Sequence, residues 1–264
     1  MANNSNLSKR AALRRQQELE ERQARQKRMM GIGLGVLAII AVAIVAIVLT
    51  QVVGRNSNVA TPPNATEGHG IQLVSQDTKP SGEVPHLVIY EDYQCPGCKS
   101  REQEYGSVVT QLVDEGRITV EIRTAYFLDS VNRDGNAKSS SRAALAAAAA
   151  DAVGKYREYH KVVFDNQPNE GAGFSDEQLR VDFAAQAGIT GEALTEFQKL
   201  YDDKAYANFA EKSYKAMSEN GITQTPTFTV DGKELKFYDE AAKSVLIEPT
   251  AESLMEAIEK LKNS

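Results

Sequence analysis

The chain has 264 residues, 42% of them apolar and 25% charged, with a net charge of −6 and two cysteines. This composition supports a packed core. The acidic balance excludes a general nucleic-acid-binding role. The charge is unevenly spread: residues 1–28 hold eight Lys/Arg against three Glu, leaving the remainder strongly acidic.

Residues 29–53, MMGIGLGVLAIIAVAIVAIVLTQVV, run without a charge. A helix of this length spans a hydrocarbon core of about 30 Å. The run exceeds the apolar region of a cleaved signal peptide, and the flank VVGRNSNVATPP offers a poor cleavage site, so the reading is an uncleaved signal anchor. The basic residues precede it, and only Arg55 follows closely. The positive-inside rule therefore predicts a single-pass cell-membrane protein with a cytoplasmic N-terminus and an extracytoplasmic domain. Residues 1–28 read as a basic cytoplasmic segment. Residues 54–69, with two prolines and a run of polar residues, read as a flexible tether. Asn64-Ala65-Thr66 within it fits a glycosylation pattern.

A folded domain is predicted over 70–264. Residues 71–75 are a short strand candidate, and residues 87–90, LVIY, read as a buried strand. After the cysteines, Tyr105, Val108, Val109, Leu112 and Val113 recur at helical spacing as far as Gly116. Residues 117–123, RITVEIR, alternate strictly and predict a strand exposed on one face. Strand, helix, strand in this order makes a parallel pair with a crossover helix the economical arrangement. Residues 128–220 read as an all-helical insertion of about four helices. Within it, Ser175 and Gln178 form a capping box and the alanine run 143–150 favours helix. Strand character returns at 227–230, turns at Asp231-Gly232 and continues over 234–237. A last helix is predicted near 251–262. The fold class is α/β, split by a helical insertion and preceded by one membrane helix.

Both cysteines, Cys95 and Cys98, lie in YEDYQCPGCKS. A disulfide across so short a span constrains little of the unfolded chain, so a structural staple is a poor reading. Zinc asks for about four ligands, and His69, His86 and His160 show no ligand spacing to the pair; His86 and His160 read as surface or core residues. No metal and no cofactor are implied. Redox exchange fits best. A cysteine at a helix N-terminus meets unpaired N–H groups that favour its thiolate. Cys95 is placed to be that nucleophile, and Cys98, one turn on, to resolve the mixed disulfide. Pro96 suits the first helical turn. Gly97 brings no side chain, and Lys99 offers modest cationic help.

EDYQCPGC after an apolar strand, a helical insertion, and GITQTPTFTVDG late in the chain together resemble the DsbA-like thioredoxin family over about residues 70–264. The anchored arrangement is similar to oxidoreductases of Gram-positive bacteria, actinobacteria in particular. The resemblance implies a thioredoxin fold with Cys95 as the exposed nucleophile and Cys98 as the resolving thiol. It implies that Thr225-Pro226 is a cis peptide facing them and that Thr225 contacts substrate. It also implies an oxidase of unfolded exported proteins with free thiols, reoxidised by a membrane partner of the DsbB or vitamin K epoxide reductase type. A reductase or isomerase would use the same cysteines, and a non-catalytic binding module would keep the fold without the chemistry. Two positions depart from the family. Many relatives carry a histidine where this chain has Gly97, which implies a milder oxidant here. Many place a buried acid six residues before the nucleophile, where this chain has Ile89. Asp92, three before, is then a candidate proton acceptor, a surface residue or a helix-start cap.

Overall fold

The computed structural model describes residues 60–75, 78–80, 82–131 and 136–263. The basic segment and the apolar span at 29–53 lie outside the described residues, as does the tether up to residue 59. Among the described residues no helix is long and apolar enough to cross a membrane.

The central sheet grows from β2 (His86–Asp92), whose continuous apolar run is buried along both faces. It pairs in parallel with β3 (Thr119–Ala125), Ile89 standing opposite Ile122. The crossover between them is α1 (Pro96–Asp114). β2 pairs on its other side, antiparallel, with β4 (Thr227–Val230), Ile89 facing Phe228. β1 (Ile71–Leu73) adds to the far edge of β3, and β5 (Lys233–Glu234) to that of β4. The β4–β5 turn uses Asp231 and Gly232, both at positive φ, the backbone a two-residue hairpin demands.

Side chains alternate across the sheet. Leu87, Ile89, Val120 and Ile122 share a core with Val109 and Leu112 of α1 and with Leu254 and Ile258 of α7 (Ala251–Lys262). Val88, Tyr90 and Ala125 point the other way, onto Met217 of α6 (Ala207–Glu219). The Ser213 hydroxyl of α6 also accepts the Thr124 N–H at 3.0 Å. α6 thus covers the sheet, and the predicted insertion of 128–220 includes one helix that belongs to the sheet's own layers.

The rest of that insertion comprises α2 (Ser139–Ala152), α3 (Tyr156–Asp165), a π-helical turn Gln178–Asp182 running into α4 (Phe183–Gln186), and α5 (Gly191–Asp202). The alanine run sits in α2, which packs against α3, α5, α6 and β3. Its small side chains permit that crowding. Ser175 and Gln178 exchange the two hydrogen bonds of a capping box, at 2.9 and 3.1 Å.

Three predicted features come out differently. β3 is not exposed on its polar face. Glu121 is buried, bonded to Arg123 at 2.6 Å and to the Gly70 N–H at 3.1 Å, because residues 66–70 lie over it. Gly70 makes that approach possible: a Cβ there would stand 2.4 Å from Glu121 Cγ. Secondly, residues 62–69 are docked rather than loose. The Asn64 N–H and side-chain amide both donate to buried Asp151 of α2 at 2.8 Å, and Ala65 bridges to Ile71. Thirdly, of residues 234–237 only Glu234 is in a strand, the two-residue β5, and a separate small hairpin follows, β6 (Tyr238–Asp239) with β7 (Ser244–Val245).

Candidate active site

β2 ends at Asp92, and a tight turn delivers Cys95 to the start of α1. The Cys95 N–H donates back to the Asp92 carbonyl at 2.9 Å. Cys95 is the extended N-cap residue of α1, with Pro96 in the first turn, where a missing N–H costs nothing. Pro96 and Gly97 are exposed. Cys95 beneath them is 8% exposed and Cys98 3%, so the nucleophile implied to be exposed lies just under the surface, covered by the loop opposite.

That loop is Thr225-Pro226, whose peptide bond is cis. The Cys95 thiol donates to the Thr225 carbonyl oxygen at 3.4 Å. The Thr225 hydroxyl is buried without a partner among the described residues; it is a donor that a Cys95 thiolate can recruit. Gly97 keeps the two walls close, since a Cβ on it would stand 3.1 Å from Pro226 Cδ and 3.7 Å from Cys95 Sγ.

This surrounding splits the two thiols. The Cys98 thiol as donor pulls Cys95 down to about 6 against the opposing effect of burial, with help from the Thr225 side chain and the N–H groups of Cys98 and Gly97. Cys98 moves the other way, well above the ordinary thiol value, through burial first and then through Cys95 and Glu91. Near neutral pH the pair is a thiolate at Cys95 and a thiol at Cys98, the division that nucleophile and resolving group require.

The helical insertion holds the motif from the side. Gln167, just after α3, donates its side-chain amide to the carbonyls of Tyr93 and Cys95 at 2.7 and 3.1 Å. Lys99 donates to the Gln167 carbonyl at 2.9 Å, which ties its ammonium to this clamp.

Asp92 is fully buried, which removes the surface reading. Its carboxylate accepts from the Ser140 hydroxyl at 2.5 Å, the Gln94 N–H at 2.9 Å and the Leu128 N–H at 3.2 Å. Burial pushes it up to about 6 against those donors. Strand alternation puts it on the side of Val88 and Tyr90, joining β2 to the start of α2. The acid on the cysteine side is its neighbour Glu91, which sequence reasoning missed. Glu91 is buried and bonded to His160 of α3, Oε1 to Nε2, at 2.6 Å. His160 Nδ1 lies 3.9 Å from Glu102 of α1. His160 is therefore a core histidine, and a charged one: burial would lower it, but Glu91 and then Glu102 raise it to about 9. The available signal was that His160 falls among Tyr156, Tyr159, Val163 and Phe164, on the apolar face of its helix. His86 is tied to Thr119 at 2.8 Å and to Glu121 at 3.4 Å.

A thiolate–thiol pair at a helix start, faced by a cis-proline loop on a thioredoxin-like sheet, defines a thiol–disulfide oxidoreductase. The family model described as Thioredoxin matches residues 83–259, and the chain belongs to that family. Among solved structures it is similar to the MdbA thiol-disulfide oxidoreductase of Corynebacterium diphtheriae, at 26% identity and a TM-score of 0.54, covering 66% of this chain and 87% of that one. It is also similar to oxidised DsbA of Mycobacterium tuberculosis, at 25% identity and a TM-score of 0.53, covering 74% and 93%. MdbA of Actinomyces oris shares the fold at 19% identity and a TM-score of 0.57, covering 76% and 92%. No curated protein sequence matches the chain. The chain is thus a DsbA-like member of the family, an enzyme of thiol–disulfide exchange.

Proposed function

We propose that the enzyme works outside the cytoplasm, held by a membrane anchor, and forms disulfides in exported proteins. Cys95 is the attacked and attacking sulfur, Cys98 the resolving one, and the Thr225-Pro226 loop the wall against which an extended substrate lies. The observation that carries this reading is the placement of Cys95 at the start of α1 against the cis Thr225-Pro226 loop, its thiol donating to the Thr225 carbonyl at 3.4 Å; the lowering of Cys95 to about 6 and the raising of Cys98 accord with it. A stabilised Cys95 thiolate favours the reduced enzyme and so makes its disulfide an oxidant. The basic segment and apolar run ahead of the domain support the location. Unfolded exported proteins with free thiols are the substrates in this reading, and a membrane oxidase of the DsbB or vitamin K epoxide reductase type restores the disulfide.

The test has two arms. A Cys98→Ala chain should accumulate mixed disulfides with exported proteins through Cys95; none under oxidising conditions would refute the mechanism. The measured potential decides direction: a value near that of thioredoxin, about −270 mV, would assign the same cysteines to a reductase.

A further inference from the structure

The loop after α3 reaches the cysteine turn through one side chain. α3 ends at Asp165, and Pro168 disfavours helical backbone at the residue before it. The chain therefore leaves the helix at Gln167, which is only 6% exposed. Two contacts seat this corner. The Phe164 ring packs on Tyr93 with centroids 5.1 Å apart, and the Asn166 side chain closes α3 by donating to the Val162 carbonyl at 2.8 Å.

From there Gln167 holds both flanks of the motif. Its side-chain amide donates to the carbonyls of Tyr93 and Cys95 at 2.7 and 3.1 Å, and its own carbonyl accepts the Lys99 ammonium at 2.9 Å. Two neighbouring carbonyls ask for two donors on one group. The NH₂ end of a glutamine supplies them, whereas an ionised glutamate of the same size only accepts. Tyr93 has no exposure, and a buried carbonyl left without a donor is costly. Without the amide the turn would have to shift to relieve it.

The other ties of the turn run elsewhere. The Cys95 N–H donates to the Asp92 carbonyl at 2.9 Å, the Cys95 carbonyl accepts the Lys99 N–H at 3.1 Å, and the Gln94 side chain donates to Ser140 at 2.7 Å. The first two bind the turn to its own chain neighbours, so they move with it. We infer that Gln167 is a positioning residue for thiol–disulfide exchange: by fixing the Tyr93 and Cys95 carbonyls it holds the turn in register with α1 and keeps Cys95 Sγ against the Thr225-Pro226 loop. In that place the N–H groups of Gly97 and Cys98 and the Thr225 side chain favour the thiolate. Gln167 acts through the backbone of Cys95 rather than on the sulfur. The helical insertion is thereby part of the active site's support. This rests on exchange at Cys95 and Cys98 as described above, in whichever direction it runs.

The test follows the thiolate absorbance of the reduced full chain against pH, and its redox equilibrium with glutathione. Gln167→Ala should raise the Cys95 midpoint by about one pH unit, a tenfold loss of thiolate stabilisation, and move the equilibrium severalfold toward the disulfide. Gln167→Glu fills the same space without the donors and should shift the midpoint at least as far. Asn64→Ala is the control: it removes two hydrogen bonds to Asp151, in α2, and should lower stability in urea while leaving the Cys95 midpoint unchanged. Wild-type midpoints in Gln167→Ala and Gln167→Glu would overturn the assignment, even if both were less stable. So would an equal shift in Asn64→Ala, since that marks general loosening of the insertion. If Gln167→Ala fails to fold, Gln167→Asn, shorter by one CH₂ and unable to reach both carbonyls, carries the same titration. Trapping of mixed disulfides by Cys98→Ala reports on the exchange reading separately.

Discussion

The Cys95 thiol donates to the Thr225 carbonyl oxygen at 3.4 Å, joining residues 130 positions apart in sequence. Beside that bond the Thr225 hydroxyl is buried with no partner among the described residues. It lies in wait for the thiolate, to which its O–H can donate. Thr225→Val keeps the shape and removes that donor, so Cys95 should move back up toward the free-cysteine value. Thiolate absorbance against pH measures this. Exchange near neutral pH should slow severalfold as the thiolate fraction falls.

Gly97 is the position where a side chain would meet both walls. Gly97→His asks the Pro226 ring to give by a few tenths of an ångström, from a Cβ contact of 3.1 Å. In return it sets a cationic ring near Cys95 and stabilises the thiolate. The potential should rise, by about 30 mV for each tenfold gain in the reduced form. Equilibration with glutathione checks it, and an unchanged or lower potential would show that the loop excludes the ring.

Asp92 serves as a structural acceptor. Asp92→Ala leaves the donors of Gln94, Ser140 and Leu128 with one fewer partner each, and should cost about 2–4 kcal/mol. Urea unfolding measures that. The Cys95 titration should stay where it is, because Asp92 points away from the thiols. A shifted titration would restore Asp92 as a proton acceptor.

His160 ties stability to pH. Its folded value of about 9 exceeds the ordinary 6.5, so the native state binds its proton more tightly than the unfolded chain. That contribution is complete below about pH 6.5 and is lost as pH rises through about 9, on the order of 3 kcal/mol in all. The stability gap between wild type and His160→Gln should therefore narrow on going from about pH 6 to above pH 9.

Local features of the sequence were readable and non-local ones were not. Cys-Pro-Gly-Cys, the capping box at Ser175, the Asp231-Gly232 turn and the last helix are each decided within a few residues, and each appears as expected. The strict alternation of β3 misled for a physical reason. Polar residues on one face usually mean water, but here Glu121 and Arg123 satisfy each other and accept a cover from residues 66–70. Glu91 and Asp92 show the same limit. Two adjacent acids look alike in sequence, yet strand alternation sends one toward the thiols and the other toward Ser140. Only the fold brings His160 to the first, across 69 positions.

The docking of Asn64 on Asp151 has a mechanical meaning. A pull on the chain from its N-terminal side would not load β1 first. It would meet two parallel hydrogen bonds of 2.8 Å to the buried carboxylate of α2 and, next to them, the Ala65–Ile71 bridge. The force would be shared between helices and sheet before any strand could peel.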